Sequence, residues 1–204
     1  MSDTPEYSRR ELLRQIGAST TLMAAGAGAL SAQDMQHVHQ AVAQETATGP
    51  YRPKALMRHE YATLERLSDL IIPADSHSEG ALAANSAAFI DFLCGASEEM
   101  KGIYTGGLAW IDERMRKQYD SDFLSAQPGQ QTALLDQIAY RKNDQPDLSP
   151  GVQFFDWARR MVVDAYYTSA IGMKELGYMG NGAMDHFSVP ENAVEYALKR
   201  SPFA

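Results

Sequence analysis

Helical periodicity is the property that most constrains the fold of this 204-residue chain. From His59 onward, apolar residues recur at three- and four-residue steps, which places them on one face of an α-helix. The pattern is interrupted at Pro73 and again at Pro146 and Pro150. No alternating run typical of a β-strand occurs, so the sequence predicts an all-α fold, an irregular bundle of four to six helices. The predicted apolar stripes are Tyr61, Leu64, Leu67 and Ile71; Met100, Ile103, Tyr104, Leu108, Ile111, Met115 and Tyr119; and Phe154, Phe155, Ala158, Met161, Val162 and Ala165.

The N-terminus has the pattern of an export signal. Arg9 and Arg10 precede a weakly apolar run from Ile16 to Leu30, in which Ala, Gly, Ser and Thr are frequent. Two arginines ahead of such a run are typical of a bacterial twin-arginine signal, whereas a general secretion signal has a more apolar core. We interpret residues 1–33 as a twin-arginine signal peptide. The alternative is an amphipathic N-terminal helix with an incidental arginine pair.

The rest of the chain divides into a linker and one domain. Residues 34–58 are rich in Gln, Ala and His and contain the helix-breaking run Thr48-Gly49-Pro50, which predicts a flexible tether. His37 and His39 lie two residues apart and share no helix face, which disfavours a metal site. Residues 59–204 are long enough for a single helical domain and too short for two.

Charge and cysteine content exclude several classes of function. The net charge of −8, from 18 basic and 26 acidic residues, argues against a nucleic-acid partner, which would require a basic face. The single cysteine, Cys94, can form neither an intramolecular disulfide nor a cysteine-pair metal site. The chain also lacks a Gly-x-Gly-x-x-Gly fingerprint and a Walker loop. We therefore expect no cofactor, metal or catalytic residue here, although twin-arginine export mostly serves proteins that fold around a cofactor.

A segment rich in glycine and tyrosine lies near the C-terminus. The stretch from Tyr166 to Gly182 contains four glycines and three tyrosines and ends on the turn signal Asn181-Gly182. Because glycine permits positive φ, this spacing predicts a structured loop rather than a long helix. Aromatic side chains held in such a loop can bind another protein, since tyrosine is enriched at interfaces. The alternative is a loop that packs on its own bundle.

Four segments in a fixed order carry a family resemblance. They are Leu70-Ile71-Ile72-Pro73-Ala74-Asp75, Ala88-Phe89-Ile90-Asp91, Gly107-Leu108-Ala109-Trp110-Ile111-Asp112 and Tyr166-Tyr167-Thr168-Ser169-x-Ile171-Gly172-x-Lys174-Glu175-Leu176-Gly177-Tyr178-x-Gly180-Asn181. The chain from Leu64 to Asn181 thereby resembles the gluconate 2-dehydrogenase subunit 3 family. Its members are the small (gamma) subunits of membrane-bound flavin sugar and polyol dehydrogenases, and they commonly begin with a twin-arginine signal.

The resemblance implies a non-catalytic subunit in a periplasmic complex, through which the chain can associate with the membrane. The family's catalytic partner is a large FAD-containing flavoprotein of the glucose-methanol-choline type, and a cytochrome c subunit often takes the electrons. The large subunit is typically exported with the small one, whose signal engages the twin-arginine translocase. Relatives serve gluconate 2-dehydrogenases, glucose dehydrogenases and glucoside 3-dehydrogenases, so the resemblance does not identify the sugar.

We expect the flavoprotein to dock on the glycine- and tyrosine-rich segment together with the loop at residues 73–80. Rigidifying glycines, aromatic side chains and the most specific family motif coincide there. The residues expected to dock are Pro73, Asp75, Tyr166, Tyr167, Ile171, Lys174, Glu175, Tyr178 and Asn181.

Two other classes of function stay open at this point. A stand-alone periplasmic hydrolase or metal enzyme could assemble a general base from carboxylates and histidines in loops. The candidates are Asp75, His77, Asp91, Asp185 and His186. A periplasmic scaffold or binding protein is the other alternative. Bound metal or activity in the isolated chain would favour the enzyme, and a flavoprotein partner would favour the accessory subunit.

Overall fold

The computed structural model describes residues 31–178 and 189–201. Within these stretches the chain contains nine α-helices, one 3₁₀ helix at Arg141–Asn143 and no β-strand, which confirms the all-α prediction. No helix in the described stretches is both long and apolar enough to cross a membrane. The helices are α1 (Ala32–Thr46), α2 (Arg58–Ile71), α3 (Gly80–Ala83), α4 (Ser86–Ala96), α5 (Glu98–Tyr119), α6 (Pro128–Ile138), α7 (Ser149–Tyr167), α8 (Ala170–Glu175) and α9 (Glu191–Arg200).

The helices outnumber the expected four to six because several of them lack a long periodic stripe. The helix α3 has four residues and α8 has six, too few for a repeat of the apolar pattern. The helix α1 falls in the segment interpreted as a tether, and α9 follows the segment interpreted as a loop.

The helix α4 lies at the centre of the bundle and packs against α1, α2, α3, α5 and α7. Its sequence is apolar around most of its circumference, and such a helix is stable only when it is surrounded by others. Phe89, Ile90 and Leu93 are at most 2% exposed. The long helices α5 and α7 contribute their predicted stripes to the same core.

The prediction of a flexible tether at residues 34–58 is wrong for residues 34–46, which are helical. Residues 32–46 form α1, which begins with a capping box between Ser31 and Asp34. Met35, Val38 and Val42 recur at three- and four-residue steps and are buried against the bundle. The many Gln and His residues between them make the segment polar as a whole, and they hide this narrow apolar stripe.

The second part of the predicted tether is extended but anchored. Residues 47–57 contain no helix, as the Gly49-Pro50 break predicts. The buried carboxylate of Asp91 on α4 accepts backbone N–H bonds from Lys54 at 2.8 Å and Leu56 at 2.8 Å, and a third from Ala55 at 3.2 Å. The hydroxyl of Tyr51 donates to the same carboxylate at 3.0 Å. Asp91 therefore holds the connection between α1 and α2 on the core.

Candidate docking surface

The loop at residues 73–80 has a defined conformation set by its own residues. Asp75 Oδ1 accepts the backbone N–H of His77 at 2.7 Å and of Ser78 at 2.8 Å. These two bonds hold the pKa of the exposed Asp75 carboxyl below its usual range. The loop ends at Gly80 with φ of +75°, where a Cβ atom would lie 2.6 Å from the backbone nitrogen of Ala74. The loop therefore requires glycine at its end.

Tyr166 joins this loop to the C-terminal segment. Its ring is fully buried, and its hydroxyl donates to Glu175 Oε2 at 2.5 Å. Ser78 Oγ lies 2.5 Å from the same hydroxyl, although the two residues are 88 positions apart in sequence. Burial and the bond to Glu175 raise the pKa of Tyr166, so the hydroxyl stays protonated and remains a donor. The structure thus brings together the two segments that the sequence analysis assigns to docking.

The described part of the glycine- and tyrosine-rich segment differs from the predicted loop in one respect. Tyr166 and Tyr167 end α7, and after a two-residue break the chain forms the short helix α8. Ser169 starts α8 because its hydroxyl accepts the Gly172 N–H at 3.1 Å, a helix cap that the glycine spacing concealed. Gly177 then ends the helical region with φ of +63°.

Four large apolar side chains are exposed in the stretch from Tyr167 to Tyr178. The exposed fractions are 36% for Tyr167, 39% for Met173, 61% for Leu176 and 55% for Tyr178. The Tyr167 ring packs edge-on against Tyr166, with centroids 5.0 Å apart. The Tyr178 N–H donates to the carbonyl oxygen of Met173 at 3.1 Å, so a backbone bond joins the end of the stretch to α8. We call Tyr167, Met173, Leu176 and Tyr178 the tyrosine face.

The other residues expected to dock are at or near this surface. Pro73, Asp75, Lys174 and Glu175 are exposed, and Ile171 is half-buried. Asn181 lies outside the described residues, as do Arg9 and Arg10 of the predicted signal. Of the expected set, Tyr166 alone is buried among the described residues, where it positions the others rather than offering a contact.

Two of the residues considered for an independent active site, Asp75 and Asp91, are engaged in structural contacts, and Nδ1 of the exposed His77 lies 2.9 Å from the hydroxyl of its neighbour Ser76. The carboxylate of Asp75 bonds its own loop, and that of Asp91 holds the segment before α2. Burial raises the pKa of Cys94 to about 12, so its thiol is not a nucleophile at neutral pH. Residues 31–178 and 189–201 contain no cluster of three His, Cys, Asp or Glu side chains suited to a metal ion. Asp185 and His186 lie outside the described residues.

Sequence reasoning missed the role of a second buried aspartate. Asp112 on α5 accepts the His59 Nε2–H at 2.6 Å and the Phe123 N–H at 3.0 Å. Through these bonds it ties the start of α2 and the chain after α5 to one point. Both Asp91 and Asp112 end a family-like motif, so an acidic residue at the end of an apolar run was the available signal.

Comparison with known proteins gives one result. The family model described as gluconate 2-dehydrogenase subunit 3 matches residues 58–185, which is more than half of the chain and includes α2 to α8. Searches of curated proteins and of solved structures found no match. The helices α1 and α9 lie outside the matched residues. By this match, and in agreement with the four motifs noted in its sequence, the chain belongs to the gluconate 2-dehydrogenase subunit 3 family.

Proposed function

We propose that this chain is the non-catalytic small subunit of a periplasmic FAD-dependent sugar dehydrogenase. It binds and stabilises a large flavoprotein of the glucose-methanol-choline type and takes it through the twin-arginine translocase on its own signal. The substrate is oxidised on the partner's flavin, and a cytochrome c subunit can receive the electrons. The sugar belongs to the gluconate, glucose or glucoside class that the family serves.

The tyrosine face is the observation that supports this proposal. Exposed aromatic and aliphatic side chains on a rigid support are the groups that dominate protein interfaces. Tyr166 provides that support, because its buried hydroxyl links Ser78 in one segment with Glu175 in the other. Because the family is described as a dehydrogenase subunit, a protein partner is the occupant that we assign to these exposed apolar side chains.

Docking is tested by comparing two tyrosines that are equally exposed. Tyr178 in the tyrosine face and Tyr140 beyond α6 are each 55% exposed. We expect Tyr178→Ala to weaken binding of the co-expressed flavoprotein by about 2 kcal/mol, which is roughly 30-fold in Kd. Tyr140→Ala should leave binding unchanged. The measurements are flavin absorbance co-eluting with the tagged small subunit, and a binding titration with the purified flavoprotein.

Folding controls decide what a loss of binding means. Both variants should retain the helical content and melting temperature of the isolated parent chain, because an exposed tyrosine contributes little to folding. Equal binding by the two variants would remove the tyrosine face from the interface. If Tyr178→Ala unfolded the isolated chain, the segment would be part of the core and the interface would lie on another face.

Shared export is tested through the signal. Replacing Arg9 and Arg10 by Lys should leave both this chain and a flavoprotein without its own signal in the cytoplasm, because one signal serves the pair. Fractionation of cells that express both chains gives the readout, with the periplasmic fraction assayed for flavin-dependent sugar oxidation. A flavoprotein that still reached the periplasm would disprove shared export, while leaving docking to the binding experiment.

A further inference from the structure

An apolar groove lies between α5 and α7, away from the family-specific C-terminal segment. The two antiparallel helices approach closely because, at two points along their contact, a glycine of one helix packs against an aromatic ring of the other. A Cβ atom on Gly107 would lie 2.0 Å from the Phe154 ring, and one on Gly151 would lie 2.2 Å from the Trp110 ring. Alongside these contacts runs a groove of about 420 Å³. Its apolar walls include Ile103, Trp110, Phe154 and Trp157.

The groove has a polar end that contains Arg114. Trp110 also lines an adjoining hollow of about 270 Å³, whose other lining residues are two acidic and two basic ones, Glu113, Arg114, Lys117 and Asp147. The Nζ atom of Lys117 forms an ion pair with Oε1 of Glu113 at 2.6 Å. The guanidinium of Arg114 has no ion pair within the described part of the chain, and its Nε is buried without a hydrogen-bond partner there. The buried Nε favours an oxygen acceptor such as a carboxylate, because this donor has lost its water without gaining a partner.

The helix α9 has the complementary properties. No residue of α9 is buried, although Val194, Ala197 and Leu198 form an apolar stripe along one face. Val194 is 43% exposed and Leu198 is 57% exposed. Glu191 and Glu195 lie one helical turn apart at the edge of this stripe. An apolar stripe with acidic side chains along one edge fits an apolar groove that ends at Arg114.

We propose that α9 docks into the groove between α5 and α7, with Val194 and Leu198 against the two tryptophans and a glutamate at Arg114. The exposed α9 is the open form of this contact. The connection between Tyr178 and Glu191 can span about 40 Å when extended. The distance along the α7 axis, from its C-terminal end to the turn that borders the hollow, is only about 25 Å at 1.5 Å per residue. The helix can therefore reach the groove of its own chain, and this inference does not depend on the proposed flavoprotein partner.

Intrinsic fluorescence tests this contact directly. The chain has two tryptophans, and both line the groove, so its whole tryptophan emission reports on that surface. We compare the full chain with a chain that ends at residue 188. Docking predicts that truncation shifts the emission to longer wavelength and increases quenching by acrylamide. A synthetic peptide of residues 189–204 added to the truncated chain should reverse both changes.

Two substitutions in the peptide separate the stripe from the opposite face. Leu198→Ala should weaken binding of the peptide by about tenfold or more, as expected for an interface anchor. Tyr196→Ala removes a larger apolar side chain, but it should leave the affinity unchanged because Tyr196 lies on the opposite face, where its ring contacts Arg200. Circular dichroism verifies that the truncated chain keeps its fold.

Three results would overturn the proposal. Emission and quenching that do not change on truncation would mean that α9 does not reach the groove. Equal weakening by both substitutions would mean that the peptide binds without using its stripe. Protein-concentration-dependent dimers of the full chain that disappear on truncation would place α9 in a second copy instead.

Discussion

Two helices outside the family-matched residues differ completely in burial. Both α1 and α9 have an apolar stripe flanked by polar residues. The stripe of α1 is in the core, where Val38 is 1% exposed and Val42 is 3% exposed. No residue of α9 is buried. The comparison teaches that an amphipathic stripe indicates that a helix has a partner surface without indicating where that surface is.

The polar contacts of the two helices explain part of the difference. On α1, the Nε2 atom of His39 lies 2.9 Å from the Oγ1 atom of Thr168. The centroid of the His39 ring lies 4.6 Å from that of the Phe89 ring. The helix α1 is thus bonded to the end of α7 and packed on α4. On α9, by contrast, Lys199 Nζ pairs with Glu195 Oε2 of the same helix at 3.8 Å.

The largest expected effect contrasts the two stripes. Val38→Asp should lower the free energy of unfolding by about 4 kcal/mol or more, because it places a carboxylate in the hydrophobic core. Leu198→Asp should lower that free energy by only about 1.5 kcal/mol, the value of one anchor in the proposed groove contact, because no residue of α9 is buried in the core. Urea denaturation followed by circular dichroism measures both. Equal destabilisation would show that α9 is as much a part of the folded core as α1.

The next effect concerns how the chain after α1 is held. Asp91→Ala should cost about 3 kcal/mol of stability, because three backbone N–H groups and the Tyr51 hydroxyl lose their acceptor. Asp75→Ala is the matched control, since its two N–H donors lie in an exposed loop where water can replace the carboxylate. We expect little change in melting temperature for the control. A similarly small change for Asp91→Ala would mean that the segment before α2 needs no anchor.

The smallest expected effect is a pH dependence of the melting temperature that arises from His39 on α1. Burial lowers the pKa of His39 from its usual 6.5, so the unfolded chain binds a proton more readily than the folded one. The stability contributed by neutral His39 is present above the unfolded pKa and falls as the pH drops below it. The melting temperature of the parent chain should therefore decrease more from about pH 7.5 to about pH 5.5 than that of His39→Gln.

His37 supplies the control for this titration. It is an exposed histidine on the same helix, so His37→Gln should retain the pH dependence of the parent chain. An unchanged dependence in His39→Gln would assign the titration to another group and would leave the packing of α1 independent of its histidine.

The long helices could be predicted from sequence, but the short helices could not. The stripes of α2, α5 and α7 repeat over several turns, and the structure contains a helix at each. The helix α8 has too few residues for such a repeat and depends on the Ser169 cap. The helix α1 has a stripe of single residues among glutamines and histidines, whose polarity suggested a tether. Local patterns therefore succeed where the apolar face is long and continuous.

The sequence by itself determined the helical class, the family and the two segments expected to dock. Only the tertiary structure decided that Tyr166 is buried while Tyr167 is 36% exposed, although both are tyrosines in the same motif. Neighbouring residues on a helix differ by about 100° in direction, so which one faces the core depends on the helices packed around them. Likewise, the contact between Ser78 and Tyr166 joins residues 88 positions apart. It exists because α3 and α7 pack together in the closed bundle, which no local pattern encodes.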